Sequence, residues 1–252
     1  MAVVETECIV LRSYDLADAD KIAVLLTADH GIVRAVAKGA KRLKSKFGSG
    51  LEPLSRVNAA YFQKETQELV DLDKTEVIES AFALVSSPEL LTEFSYLIDI
   101  LLSCVPAEDP DPAMYRMVSA SLSAVREHPG SIGAVSLYFE AWLLRLGGFF
   151  PSWETCSICR LQLGDESDAQ VGAEFQLICA RCRKSSGGET LSAADRNIIL
   201  RTRRLSPKDF ASESMREDSL NKLSVILKRM IARASGYERV DRALRAGIQN
   251  RP

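Results

Sequence analysis

The sequence predicts a multidomain α+β protein: a small N-terminal barrel of about five strands, then a mainly helical domain carrying a four-cysteine metal module. Three observations carry this prediction. Residues 7–72 fall into short apolar and aromatic runs separated by turn signals. From Pro88 onward, apolar residues recur at helical spacing. Cys156, Cys159, Cys179 and Cys182 form two CxxC pairs about 20 residues apart, which suits one tetrahedral ion.

The strand-like runs are Glu7–Arg12, Lys21–Thr27, Gly31–Ala37, Val57–Phe62 and Gln67–Leu72. Asp29-His30-Gly31 is a tight hairpin signal between the second and third of them, with the glycine free to take positive φ. Five short strands in about 80 residues, with one long loop from Lys38 to Leu54, suit an OB-fold, so residues 1–80 are expected to form that domain. Periodicity changes around Ser80 to Pro88, and residues 81–252 are expected to be the helical domain, with the cysteine module at 153–185.

In that second part Ser87-Pro88 reads as an N-cap with proline at the first helical position. Leu90, Leu91, Phe94, Leu97, Ile98, Leu101 and Leu102 then make one apolar face. Residues 107–112, with Pro110 and Pro112 among acids, read as a linker. Helices over Pro112–Glu127 and Ser131–Leu146 follow, the second stopped by Gly147-Gly148. Ser192 and Asp195 have capping-box spacing and open a short helix toward Arg203. Two more helices are expected after it. In the last, Leu220–Ala234, the apolar stripe is Leu220, Leu223, Leu227, Met230 and Ile231, and Lys222, Arg229 and Arg233 line another stripe.

Four thiolates select zinc over hard cations, and a closed four-sulfur shell leaves no position for water or substrate, so one structural Zn2+ is expected. Cys8 and Cys104 sit in apolar stretches and read as small core residues. The N-terminus lacks a basic leader, and the most apolar windows are short, which favours a reducing cytoplasm and no membrane segment. The two histidines, His30 and His128, stand in no hydrolase or deaminase motif, and no phosphate-binding GxxxxGK[ST] occurs, so no enzyme is expected.

The chain of 252 residues has a formal net charge of -2, but the charge is uneven. Acids predominate from Val3 to Asp29. From Val33 to Gly50 there are Arg34, Lys38, Lys41, Arg42, Lys44 and Lys46 with no acid. The loop Lys38-Gly-Ala-Lys-Arg-Leu-Lys-Ser-Lys-Phe-Gly-Ser-Gly50 thus offers cations for phosphates and Phe47 as a stacking surface, the composition of a single-strand binding groove. A solvated basic loop without a ligand has the same composition. Arg201, Arg203, Arg204, Lys222, Arg229 and Arg233, with Arg239, Arg242 and Arg245, either extend a phosphate track or form solvated surface.

Several segments resemble the bacterial DNA repair and recombination mediator family RecO. They are Ile9-Val-Leu-Arg-Ser-Tyr-Asp-Leu-Ala-Asp-Ala-Asp-Lys-Ile-Ala-Val-Leu-Leu-Thr27, then His30-Gly-Ile-Val-Arg-Ala-Val-Ala-Lys-Gly-Ala-Lys-Arg42, Lys44-Ser45 and Leu51-Glu-Pro-Leu54, in the family order. The helices and CxxC pairs extend the resemblance over nearly the whole chain, although only some members carry the cysteines. It implies an OB-fold, a helical domain with the zinc module, and no catalytic turnover. It further implies binding of single- and double-stranded DNA, annealing of complementary strands, and work with RecR, sometimes RecF, to replace single-strand binding protein with RecA. The acidic tail of single-strand binding protein is then expected in a basic, apolar groove among the helices. Localisation with the nucleoid follows from such a role. The competing reading is a zinc-stapled interaction module that recruits partners without binding DNA.

Overall fold

The computed structural model describes residues 2–16, 18–63, 69–106, 109–164, 167–184 and 188–236, and these divide into two compact units, Met1–Pro129 and Gly130–Pro252. In the first unit, strands β1 (Ala2–Asp15), β2 (Lys21–Thr27), β3 (Ile32–Ala37), β4 (Arg56–Gln63) and β5 (Leu69–Glu79) close into a barrel of order β1-β2-β3-β5-β4. All pairs are antiparallel except β3 with β5, and β4 returns to β1 to close the circle. This is the OB-type barrel expected. Alternate residues fill it: Val10, Leu25, Val33, Val57, Tyr61 and Leu72 belong to one buried cluster.

The β2–β3 hairpin turns where expected. Gly31 has φ +69°, and a Cβ there would collide with the backbone of Asp109, so glycine is required on two counts. Thr27 supports the turn by accepting from the His30 N–H and donating to the Gly31 carbonyl. Two strands exceed their expected bounds. β1 starts near the N-terminus and β5 runs to Glu79, because pairing with β4 holds their charged residues in register where the apolar pattern fades. Gln67, the expected start of the fifth strand, lies outside the described residues, as do residues 107 and 108 of the linker.

Three helices belong to the same unit: α1 (Phe82–Val85), α2 (Pro88–Cys104) and α3 (Pro112–Glu127). Ser87 caps α2 as expected, accepting from the Leu90 N–H, and Asp111 caps α3 by accepting from Ala113 and Met114. On α2 the buried face is Leu90, Phe94, Leu97, Ile98, Ile100 and Leu101; Leu91, expected there, is exposed. A charged lattice fixes α3 to the barrel. Tyr115 donates to Glu7 Oε1 at 2.6 Å, Glu7 pairs with Arg56, and Glu79 joins Arg56 to Arg126, which also donates to the Leu54 carbonyl.

The second unit contains α4 (Ile132–Leu146), a small sheet of order β7-β6-β8 from β6 (Ala169–Val171), β7 (Leu177–Cys179) and β8 (Thr190–Leu191), then α5 (Ala193–Arg201), α6 (Pro207–Ser212) and α7 (Glu217–Ser235). Helix α4 packs on α6 and α7, burying Leu137, Phe139, Leu143 and Leu144 from one side and Leu223, Leu227, Met230 and Ile231 from the other. Gly148, at φ +74°, turns the chain out of α4 in the left-handed conformation that ends many helices. The expected capping box at Ser192 and Asp195 forms with both of its hydrogen bonds. Among the described residues, no helix is long and apolar enough to cross a membrane.

Candidate nucleic-acid interface and metal centre

The four cysteines converge. Their sulfur atoms all lie within 4.8 Å of one another, and Cys159 Sγ is 3.8 Å from Cys179 Sγ. A tetrahedron with Zn–S near 2.3 Å has edges of about 3.8 Å, so the cluster has the dimension that a four-thiolate site requires. Cys156 and Cys159 come from one turn. Cys179 ends β7, and Cys182 sits in the turn after it. The segment is laced by Cys156 N–H to the Leu161 carbonyl, Ser157 N–H to the Leu177 carbonyl and Trp153 Nε1–H to the Phe175 carbonyl.

Two of the thiols, Cys156 and Cys182, are shifted in opposite directions. Burial works against ionising Cys156, but N–H groups of Cys179, Cys159 and Ile158 outweigh it and hold this thiol down to about 6. Cys182 is pushed up to about 12, first by its hydrogen bonds to Cys159 and Cys179 and then by burial. A cation among the four sulfurs would relieve such crowding. These four residues would hold the ion, which when bound supplies structure and no reactive position. Cys8 is buried and its thiol raised to about 12 by burial, the inert core role expected; Cys104 is half-buried.

What keeps the cysteine segment against the helices was not legible from its own sequence. Arg196 of α5 is almost wholly buried and donates to the carbonyls of Gly164 and Ser167. Helix α7 supplies the rest: Lys222 reaches Asp195 and the Thr190 carbonyl, Arg229 pairs with Glu189, and Arg233 pairs with Glu174 and donates to the Ala173 carbonyl. The stripe of cations expected either to track phosphates or to lie on solvated surface thus stitches the small sheet to α7. Arg201 pairs with Glu213 and Arg203 with Glu154, whereas Arg204 has no acid partner among the described residues. Arg239, Arg242 and Arg245 lie outside the described residues.

On the barrel, the basic segment is a chain of tight turns, not a slack loop. Gly39 N–H donates to Asp20 Oδ1, Lys41 N–H to the Ala19 carbonyl, and successive turns close at Arg42, Ser45, Gly50 and Glu52. Arg34, Lys38, Lys41, Arg42, Lys44 and Lys46 are all exposed. Lys38, Lys41 and Lys46 lie 2.7, 2.8 and 2.9 Å from Asp71, Asp15 and Asp73 respectively. The hydrogen bond that Lys38 donates to Asp71 raises the Lys38 pKa, and the one that Asp15 accepts from Lys41 lowers the Asp15 pKa. Arg34, Arg42 and Lys44 have no carboxylate partner among the described residues. Exposed pairs of this kind contribute little to stability, so their lysines are easily turned to another anion.

Phe47 requires a correction. Its ring is only 3% exposed and belongs to the barrel core with Leu51, so it offers no face to a base. The loop must cover the end of an apolar barrel, and its aromatic residue is the plug; Lys46 lies over the outer side of the ring at 5.4 Å from its centroid.

Comparison with known proteins agrees with this architecture. The family model described as Recombination protein O N terminal matches residues 1–81, and that described as Recombination protein O C terminal matches residues 86–240. The chain is 34% identical to the DNA repair protein RecO of Koribacter versatilis over 73% of this chain and 75% of that protein. It is 36% identical to the DNA repair protein RecO of Bifidobacterium animalis subsp. lactis, over 68% and 72% of the two chains. Against the Geobacter metallireducens DNA repair protein RecO, identity is 28% over 84% of this chain and 86% of that one. With both family models spanning the barrel and the helical region, the chain belongs to the RecO family of DNA repair and recombination proteins.

Proposed function

We propose that this protein is a recombination mediator that holds single- and double-stranded DNA by its phosphates and leaves the base edges free to anneal. The observation that carries the reading is the ordered loop at 38–50, on which Arg42 and Lys44 stand without an acid partner among the described residues beside Lys38, Lys41 and Lys46, with Arg34 on the outer face of β3. Phosphate contacts position a strand without reading its sequence, which is what an annealing protein needs. We assign DNA binding to residues 1–80, and partner recruitment with the metal module to 81–252. The role is non-catalytic, the ion is one structural Zn2+, and the site of action is the nucleoid in the cytoplasm.

In this reading RecR, and in some settings RecF, act with the protein to replace single-strand binding protein by RecA. The acidic tail of single-strand binding protein fits a cleft of about 580 Å³ in the second unit. Its walls combine Arg201, Arg204 and Arg216 with Ile198, Leu200 and Met215, so an anionic peptide with an apolar end meets both of its needs there. Arg204 then serves the tail in preference to DNA.

The test is annealing of complementary oligonucleotides with the wild type and the Lys38→Ala, Lys41→Ala, Arg42→Ala triple variant. The wild type should accelerate annealing and the variant should fall to nearly the spontaneous rate. An unchanged rate in a folded variant would remove the loop from the DNA site.

A further inference from the structure

We propose that Leu43 is an apolar wedge, inserted by the loop between neighbouring bases of a bound DNA strand; this rests on the reading of the loop as a DNA contact. Leu43 is 102% exposed, so its side chain gains nothing from the protein's own core. The backbone beneath it is nevertheless held. Turns close at Arg42 and Ser45, Lys41 N–H is bonded to the Ala19 carbonyl, and farther along the same segment Phe47, Leu51 and Leu54 are buried. A leucine is therefore presented at a fixed place on the barrel surface.

Its neighbours define the occupant. Arg42 and Lys44 flank it, both exposed and without a carboxylate among the described residues. The cations farther from it, Lys38, Lys41 and Lys46, are each tied to an aspartate of the barrel side. Within the loop at 38–50, the cations without a carboxylate among the described residues thus stand on either side of one apolar side chain. A bilayer is a poor match, since one leucine buries too little for stable membrane attachment. One apolar side chain is enough to part a base step, at an unstacking cost of about a few kcal/mol that adjoining phosphate contacts offset.

The experiment uses the full-length protein and a single-stranded oligonucleotide carrying 2-aminopurine, whose emission rises on unstacking, with anisotropy of the same strand as the measure of binding. At saturation the wild type should raise the emission about two-fold or more. Leu43→Ala should bind within about three-fold of the wild-type affinity and lose the rise, and Leu43→Phe should retain it. Since the side chain touches nothing, thermal melting of both variants should match the wild type. A full rise with Leu43→Ala overturns the wedge. Wild-type binding without any rise overturns the wedge alone, whereas no wild-type binding overturns the DNA reading of the loop and the wedge with it. If Leu43→Ala instead abolishes binding to vesicles containing anionic lipid while the DNA signals persist, the leucine serves a membrane and the proposal fails.

Discussion

The barrel and the cysteine module solve the same problem with different materials. The barrel closes five strands around a packed apolar cluster, and its longest loop is anchored by three buried side chains, Phe47, Leu51 and Leu54. The cysteine module has strands of two or three residues and a few buried apolar groups, chiefly Trp153, Leu163, Ala169 and Leu177. Its order depends on polar ties from Arg196 and α7 and on four converging sulfurs. A segment too small to pay for its own ordering through apolar burial needs a cross-link, and four converging sulfurs are suited to supply one through a metal.

The sharpest way to break this comparison is to remove the ion from one region and a core ring from the other. Chelation, or Cys156→Ser, should release the module to proteolysis between Trp153 and Cys182 while the barrel stays folded; structural zinc contributes on the order of 10 kcal/mol in small modules. Limited proteolysis with mass spectrometry reads it out, and metal analysis should find one zinc per chain. Phe47→Ala should destabilise the barrel unit by about 3 to 5 kcal/mol in chemical denaturation, because the ring leaves a cavity in the core. If Phe47→Ala instead weakens DNA binding with no loss of stability, the ring is not the plug described above.

A smaller effect is expected at the lattice joining α3 to the barrel. Tyr115→Phe removes a hydrogen bond to a charged, partly exposed Glu7 and should cost about 1 to 2 kcal/mol. Its pH dependence gives a second check. The Tyr115 hydrogen bond is the largest influence on Glu7; burial opposes it, Arg56 assists it, and the net result is a pKa below the ordinary 4.5. A depressed carboxylate contributes stability that is present above the unfolded value and lost as pH falls through the folded one. The difference between wild type and Tyr115→Phe should therefore be full at pH 7 and shrink below about 4.5. Arg233→Ala should have the least consequence, under about 1 kcal/mol, because its pair with Glu174 is exposed.

The parts of the fold that were legible in sequence are those with local causes. Helix α3 begins and ends where Asp111-Pro112 and His128-Pro129 place it, and the capping box at Ser192 is a signal four residues long. The cysteine cluster was legible because CxxC spacing is itself geometry. What escaped was set by distant partners. The charged ends of β1 and β5 are strands only because β4 lies beside them. Arg229 and Arg233 of α7 find their acids beside the small sheet and Lys222 finds its acid on α5, and nothing in the helix's own periodicity announces that. Phe47 was misassigned for the same reason: its composition matched a stacking loop, and only the closure of the barrel shows that the ring faces inward.

The most direct test of the central claim is the salt dependence of single-strand affinity, measured by anisotropy for the wild type and for the Arg42→Ala, Lys44→Ala double variant. Each lost phosphate contact should flatten the slope of log K against log salt by about 0.7, so the double variant should be shallower by about 1.4. A steep wild-type slope reduced by that amount, irrespective of oligonucleotide sequence, is the predicted result. Equal slopes and affinities for the two proteins would contradict the account and leave the basic loop as solvated surface.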